Sequence, residues 1–300
     1  MGIRRYGRYT VETSHEDKVL FPDVGLTKGA LVDYYDAVAE TMLPHLRARP
    51  LVLQRFPDGI TASGFYQKQA GAHFPDWIET TRVTKAEGGH QDLVVGANRA
   101  TLVYLADQAT ITLHPWLSRC DRPDHPDRLV FDLDPPGDDF GAVRFAAGRV
   151  RELLEDLGLP TFAMLTGSRG MHVVVPLDRS EPFDDVRAFA RAVAERLATR
   201  HPQMLTTEQR KAKRRGRLYL DVGRNARAQT AVAAYAVRAR PGAPVAAPIH
   251  WDELGERRLD ARRWTVRNVL RRLGQRDDPW KGIARRARSL APARRRLRDL

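Results

Sequence analysis

The stretch Phe131-Asp132-Leu133-Asp134-Pro135-Pro136 continues the apolar run Leu129-Val130-Phe131, and it reads as the end of a β-strand. Side chains two apart on a strand share a face, which lets Asp132 and Asp134 serve one site. Pro135 and Pro136 withdraw two backbone donors and stop the ladder, leaving both acids at a strand end, where sites form. Such a pair can bridge divalent metal ions. Taken alone, the motif weighs toward turn chemistry, because Asp before Pro is common in turns.

Two further segments shift that balance. Thr161 to Leu165, Thr166-Gly-Ser-Arg-Gly170 and Met171 to Pro176 read as strand, glycine turn and strand. The turn exposes backbone N–H groups, and Thr166, Ser168, Arg169 and His172 add donors that suit phosphate oxygens. A plain hairpin turn is an equal reading of this segment alone. It is not a Walker A loop, which requires G-x-x-x-x-G-K-[ST] leading into a helix. The second segment, Arg217-Leu-Tyr-Leu-Asp221, alternates like a strand and ends in a third carboxylate before the polar turn Val222 to Ala226.

Asp132, Asp134 and Asp221 are hard oxygen donors of the kind that hold two Mn2+ or Mg2+ ions, and beside a phosphate-binding turn they predict phosphoryl or nucleotidyl transfer. Zinc is disfavoured. The only cysteine is Cys120, and His114 and His125 near it form no zinc-ligand spacing.

Composition narrows the partners. Fifty Lys and Arg against 37 Asp and Glu give a net charge of +13, with the excess clustered, so nucleic acid is the leading partner. Arg210 to Arg217 runs into the strand that carries Asp221, which directs Lys211, Lys213 and Arg214 toward nucleic-acid phosphates. The tail, with Arg285, Arg286, Arg288, Arg294, Arg295, Arg296 and Arg298, reads equally as a second basic patch or as a solvated helix. No stretch approaches the length of a membrane span and the N-terminus lacks an apolar leader core, so the expectation is a cytoplasmic, nucleoid-associated protein without membrane contact. A lone cysteine agrees with a reducing compartment.

Along the chain, Thr27 is placed to N-cap a helix over Lys28 to Arg47 with Leu31, Tyr35, Val38, Met42 and Leu46 on its apolar side. Leu51 to Phe56 reads as a strand, Asn98 to Ala109 as a helix and Thr110 to His114 as a strand. The polar, proline-broken segment Ser118 to Arg128 divides an N-terminal lobe, about 10–117, from a catalytic lobe, about 129–282, followed by a basic tail 283–300. In the catalytic lobe, helices over about Ala142 to Leu157 and Phe183 to Arg200 flank the strands. A strand over Ala231 to Arg238 and terminal helices around Arg262 to Leu273 complete the prediction. The order gives an α/β fold of two packed lobes, with the site on strand ends of the second.

The ordered set Asp17-Lys-Val-Leu-Phe-Pro22, Phe65-Tyr-Gln-Lys68, Leu113-His-Pro-Trp116, Phe131 to Pro136, the Thr166 to His172 turn, Arg224-Asn225 and Val237-Arg-Ala-Arg240 resembles the polymerase domain of bacterial DNA ligase D over roughly residues 10–282. That family belongs to the archaeo-eukaryotic primase superfamily. The resemblance implies a single primase-like domain and template-directed, manganese-favouring nucleotidyl transfer with a preference for ribonucleotides. It also implies a setting of non-homologous end joining, with Ku and a DNA ligase as partners. By the same resemblance Asp132, Asp134 and Asp221 hold the metals. The nucleoside triphosphate falls to His114, Thr166, Arg169, His172 and Arg238, with Ser168 an added donor from the turn itself. Lys18 and Lys28 match a pocket for the 5'-phosphate of gapped DNA, and Tyr66 stands where relatives carry an aromatic that stacks on a template base. Arg224 and Asn225 are taken with the DNA-binding set. Thr166 replaces the family's usual Ser, Arg169 often aligns with Lys, and Ala228 and Ala234 stand where Gly and Pro are common. A ligase also needs a lysine in K-x-D-G. Arg55-Phe-Pro-Asp-Gly59 lacks it, so the chain is not expected to ligate.

Three functions compete at this point: a primase-type polymerase, a two-metal nuclease using the same carboxylates, and a non-catalytic binder of DNA ends. Dependence on nucleotide separates the first two, and dispensable acids would mark the third.

Overall fold

The computed structural model describes residues 2–85 and 87–300. They form two compact units, one from Met1–Asp121, Thr230–Ala246 and Trp264–Arg276, the other from Arg122–Gln229, Ala247–Arg263 and Asp277–Leu300. The expected lobes were continuous in sequence. Instead the chain returns twice to the first unit, and the tail belongs to the second.

In the first unit, helix α1 spans Lys28–Leu46, and the Thr27 side chain accepts the amide of Ala30 as its N-cap. Its buried side carries Leu31, Tyr35, Val38, Met42 and Leu46, the predicted stripe. Strand β1 (Leu51–Arg55) pairs antiparallel with β2 (Phe65–Gln67) on one side. On the other it pairs with β3 (Thr110–Pro115), which follows helix α2 (Arg99–Asp107), capped by Asn98.

The predicted strand over Ala231 to Arg238 does not form. Tyr235 sits at φ 67°, a left-handed conformation that interrupts any ladder. Side-chain hydroxyls take three of the segment's backbone groups: Tyr34 donates to the Tyr235 carbonyl at 2.7 Å, Thr112 to the Val237 carbonyl at 2.7 Å, and the Tyr35 hydroxyl accepts from the Val237 amide at 3.2 Å. The helix expected around Arg262 to Leu273 is confined to Val269–Gln275.

The second unit is built on a six-stranded sheet. Its strands are β4 (Arg128–Asp134), β5 (Phe162–Leu165), β6 (Met171–Pro176), β7 (Leu205–Thr206), β8 (Leu218–Asp221) and β9 (Ala247–Ile249), in the order β7-β8-β4-β6-β5-β9. All neighbours are antiparallel except β7 and β8. Helices α3 (Phe140–Asp156) and α4 (Phe183–Arg200) pack on it through their apolar sides, and Leu129, Phe131 and Leu133 of β4 are fully buried.

The Arg-rich tail is part of this unit. Helix α5 (Ala291–Asp299) buries Ala293 and Leu297, and Leu290 just before it is also buried. Arg294 pairs with Glu181, and Arg296 donates to the Leu157 carbonyl at 2.8 Å. Neither reading of the tail, free basic patch or solvated helix, describes it. Among the described residues no helix is long and apolar enough to cross a membrane.

Candidate active site

Strand β4 is the middle of the site because both its neighbours present polar residues at the same level. In register, Asp132 lies opposite His172 of β6 on one side and Asp221 of β8 on the other, and Asp134 lies opposite Tyr219. Residues directly opposite in a ladder project to the same face, as do residues two apart on a strand. The three carboxylates, His172 and Tyr219 therefore share one face at the end of the sheet, while Leu133, Leu220 and Met171 are buried on the other.

Asp132 and Asp134 are held by basic side chains. The His172 Nε2 and Arg224 Nε each lie 3.5 Å from a carboxylate oxygen of Asp132. Asp134 is gripped on both oxygens, by Arg169 at 3.2 Å and by Arg214 at 3.0 Å. Burial pushes the Asp132 carboxyl up, but the imidazole and guanidinium together outweigh it and hold its pKa below the ordinary carboxylate value. Asp221 accepts the amide of Gly223 at 2.7 Å. Tyr219, desolvated and next to Asp221, has its hydroxyl pKa pushed up to about 12.

As they stand, no three acid, histidine or cysteine side chains among the described residues converge on a metal-sized point. The donor chemistry nonetheless suits hard divalent ions: carboxylate oxygens on one face, in surroundings that already carry cationic groups against those oxygens.

The glycine turn sits on the β5–β6 hairpin. Thr166 donates through Oγ1 to the Gly170 carbonyl at 2.9 Å and receives a weaker bond from the Ser168 amide at 3.4 Å. Gly170 admits no side chain, since a Cβ there would stand 2.0 Å from the Leu133 carbonyl of β4. That close approach brings the turn against the acids. Arg169 is exposed and pairs with Asp134, whereas His172 is 3% exposed and its Nδ1 meets no hydrogen-bond partner among the described residues.

Two residues assigned to DNA turn inward. Asn225 is fully buried: its Oδ1 accepts the Val130 amide at 2.8 Å and its Nδ2 donates to the Val130 carbonyl at 2.7 Å. Strand β8 leaves the β4 ladder after Asp221, and the Asn225 amide supplies the hydrogen bonds that a further strand residue would have made. Arg214 is also buried. Besides Asp134 it bonds the carbonyls of Glu208 and Gln209 and lies 4.2 Å from the centre of the Tyr219 ring. Lys211 and Lys213, on the short turn of helix between them, are exposed. A polar side chain two to four residues past a strand end is a signal for such a clamp, although charge alone pointed Arg214 outward.

The remaining candidates belong to the first unit. His114 of β3 and Tyr66 of β2 meet edge to face at 5.7 Å, with Tyr66 60% exposed. Arg238 is half-buried and donates its amide to the Pro244 carbonyl. Lys18 is exposed and pairs with exposed Asp58 at 2.8 Å. Lys28 is buried, bonding the Asp107 carboxylate at 2.8 Å, its carbonyl at 3.0 Å and Ser14 at 3.1 Å. The resemblance assigns Lys28 to a 5'-phosphate pocket, and its alternative is solvated surface. The structure shows a buried ion pair that ties α1 to α2.

The family model for the LigD primase-polymerase domain matches residues 27–280. A multifunctional non-homologous end joining protein LigD from Mycolicibacterium smegmatis is 35% identical over 92% of this chain, and one from Pseudomonas aeruginosa is 33% identical over 98%. The chain spans about a third of the length of these relatives, 36% and 35% respectively. Among solved structures, the polymerase domain of Mycobacterium tuberculosis ligase D in complex with DNA superposes with a TM-score of 0.87 at 33% identity, covering 93% of this chain and 99% of that one.

Proposed function

This chain belongs to the LigD primase-polymerase domain family, and from that premise we propose that it adds nucleotides to a primer 3'-hydroxyl, preferring ribonucleotides, in gap filling and end processing during non-homologous end joining. The observation that carries the reading is the in-register row His172, Asp132, Asp221 with Asp134 on the same face. It supports a site for two Mn2+ or Mg2+ ions held by Asp132, Asp134 and Asp221. When bound, such ions would lower the pKa of the primer hydroxyl and offset charge on the pyrophosphate leaving group.

The chain's own residues account for the rest. Thr166, Ser168 and Arg169 offer donors to the triphosphate from the β5–β6 turn, with His172 next to that turn on β6. Arg169 and Arg214 offset the charge of Asp134 until ions arrive. Exposed Tyr66 supplies a ring for a template base, and Lys18, whose Asp58 partner is solvated, suits the 5'-phosphate of a gap. The proposed partners are gapped DNA and DNA ends, nucleoside triphosphates, Ku and a DNA ligase, in a cytoplasmic, nucleoid-associated setting.

Primer extension on gapped DNA, with Mn2+ and Mg2+ compared and ribo- and deoxyribonucleotides offered separately, tests the reading. Extension that requires nucleotide and is faster with ribonucleotides supports it. Shortening of the primer without nucleotide would instead establish a nuclease.

A further inference from the structure

The Ser168 carbonyl of the glycine turn is taken from outside its own hairpin: Arg262 donates to it through Nε at 2.8 Å. The segment that delivers this arginine leaves strand β9, which pairs with β5. Trp251 then donates through Nε1 to the Thr161 carbonyl at 3.0 Å, just before β5, and Arg144 of α3 donates to the carbonyls of Leu254 and Leu259 at 2.7 Å each. Asp260 accepts the Arg262 amide at 2.7 Å. The excursion thus starts at one end of β5 and comes back to the turn at the other. A cavity of about 220 Å3 adjoins the contact, lined by Asp138, Phe140 and Arg169 as well as by Asp260 and Arg262. The turn has no packed wall on that side, and the arginine is its support there.

Support matters because of what the turn has to present. Gly167 lies at φ 65°, and with Gly170 two residues of the turn carry no side chain to restrict their backbone. Carbonyl oxygens repel phosphate and amide N–H groups attract it, so a turn that holds a triphosphate must keep its carbonyls aside. Thr166 does this for Gly170, whose carbonyl accepts the Thr166 amide at 3.1 Å and its hydroxyl at 2.9 Å. Arg262 does it for Ser168. A trans peptide points its C=O and N–H in opposite directions, so drawing the Ser168 carbonyl toward Arg262 turns the Arg169 amide the other way. Arg169 also sends its side chain to Asp134, so the peptide held by Arg262 carries a guanidinium that stands against the acids. We infer that Arg262 is a positioning residue for nucleotide binding: by holding the Ser168 carbonyl it fixes the Ser168–Arg169 peptide with its N–H toward the incoming triphosphate. This rests on the reading of the turn as the triphosphate site.

Arg262→Met in the full chain keeps the length of the side chain and removes its donors. ATP affinity with Mn2+ by calorimetry, extension KM for nucleotide and for primer, and the melting temperature are measured on it. The same readings are taken on Arg262→Lys, on Arg169→Ala and on Arg258→Gln, an exposed arginine of the same segment. Arg262→Met is expected to raise the Kd for ATP and the nucleotide KM together by about fivefold, the scale of one hydrogen bond in solvent. Primer KM, the rate at saturating nucleotide and the melting temperature should stay near parental, Arg262 being exposed. Arg262→Lys, which keeps a donor, should recover much of the affinity. Arg258→Gln removes a charge from the segment but no bond to the turn, and should change none of these readings.

Parental nucleotide affinity in Arg262→Met, with affinity lowered in Arg169→Ala, overturns the inference and leaves the turn as the triphosphate site. Equal losses in Arg262→Met and Arg258→Gln overturn it as well, since they mark a general loss of positive charge. So does a primer KM that rises with the nucleotide KM. If neither Arg169→Ala nor Arg262→Met alters ATP affinity, the turn is not the nucleotide site and both readings fall. Should Arg262→Met not fold, Arg262→Gln decides by the same readings. ATP binding that depends on Arg262 in a protein that never extends primers would keep the positioning role and remove the polymerase reading.

Discussion

Two arginine-rich segments of the second unit, Arg210–Arg217 and Arg285–Arg298, carry similar charge and behave differently. The first places Arg214 against Asp134 and leaves Lys211 and Lys213 in solvent. The second buries Leu290, Ala293 and Leu297, with Arg294 and Arg296 bonded to protein groups. A charge run alone does not define a nucleic-acid surface. Apolar residues spaced at helical period within it, as Ala293 and Leu297 are, mark a face that packs.

Truncation after Lys281 tests the contrast most severely. Losing Leu290 and Leu297, at about 2 kcal/mol for each buried leucine, together with the rest of α5, should destabilise the unit by on the order of 5 kcal/mol. A denaturant titration showing parental stability would return the tail to the status of a free patch. Next, Arg214→Ala should cost about 2 kcal/mol, below the range for a fully buried pair because the Asp134 side chain keeps 28% exposure. Thermal melting read alongside extension should show both falling.

Lys211→Ala with Lys213→Ala should leave stability within about 0.5 kcal/mol of parental while lowering the salt slope of DNA binding by about 0.7–0.9 for each phosphate those lysines neutralise. A lowered melting temperature without a slope change would reverse the roles assigned within that segment. Smallest of all, Arg295→Gln with Arg298→Gln, both exposed on α5, should shift stability by less than about 0.5 kcal/mol. DNA affinity measured by anisotropy should fall less than twofold.

Local order was legible where period and punctuation agree. The bounds of α1 and α4, the Thr27 cap, the β5–β6 hairpin and the strand ending at Asp134 all follow from residues within a few positions of one another. The same face for Asp132 and Asp134 follows from the strand period, but the placing of Asp221 and His172 beside Asp132 depends on sheet register across long connections. Residues 231–238 resemble a strand in sequence because they are apolar. Their backbone is bonded by Tyr34, Tyr35 and Thr112, more than a hundred positions away, and by main-chain groups of Leu113 and Pro115. Asn225 and Arg214 escaped sequence reasoning for a related physical cause: polarity suggested solvent, whereas one completes the backbone bonding of β4 and the other balances Asp134. Ala228, where the resemblance implies Gly, has φ 62°, a left-handed conformation that favours Gly.

The central claim is that the in-register carboxylates perform nucleotidyl transfer, and extension of a gapped primer by Asp132→Ala tests it most directly. With DNA binding retained, the rate should fall by on the order of a thousandfold, the scale for loss of an electrostatic stabiliser of the transition state. Extension at the parental rate would contradict the account.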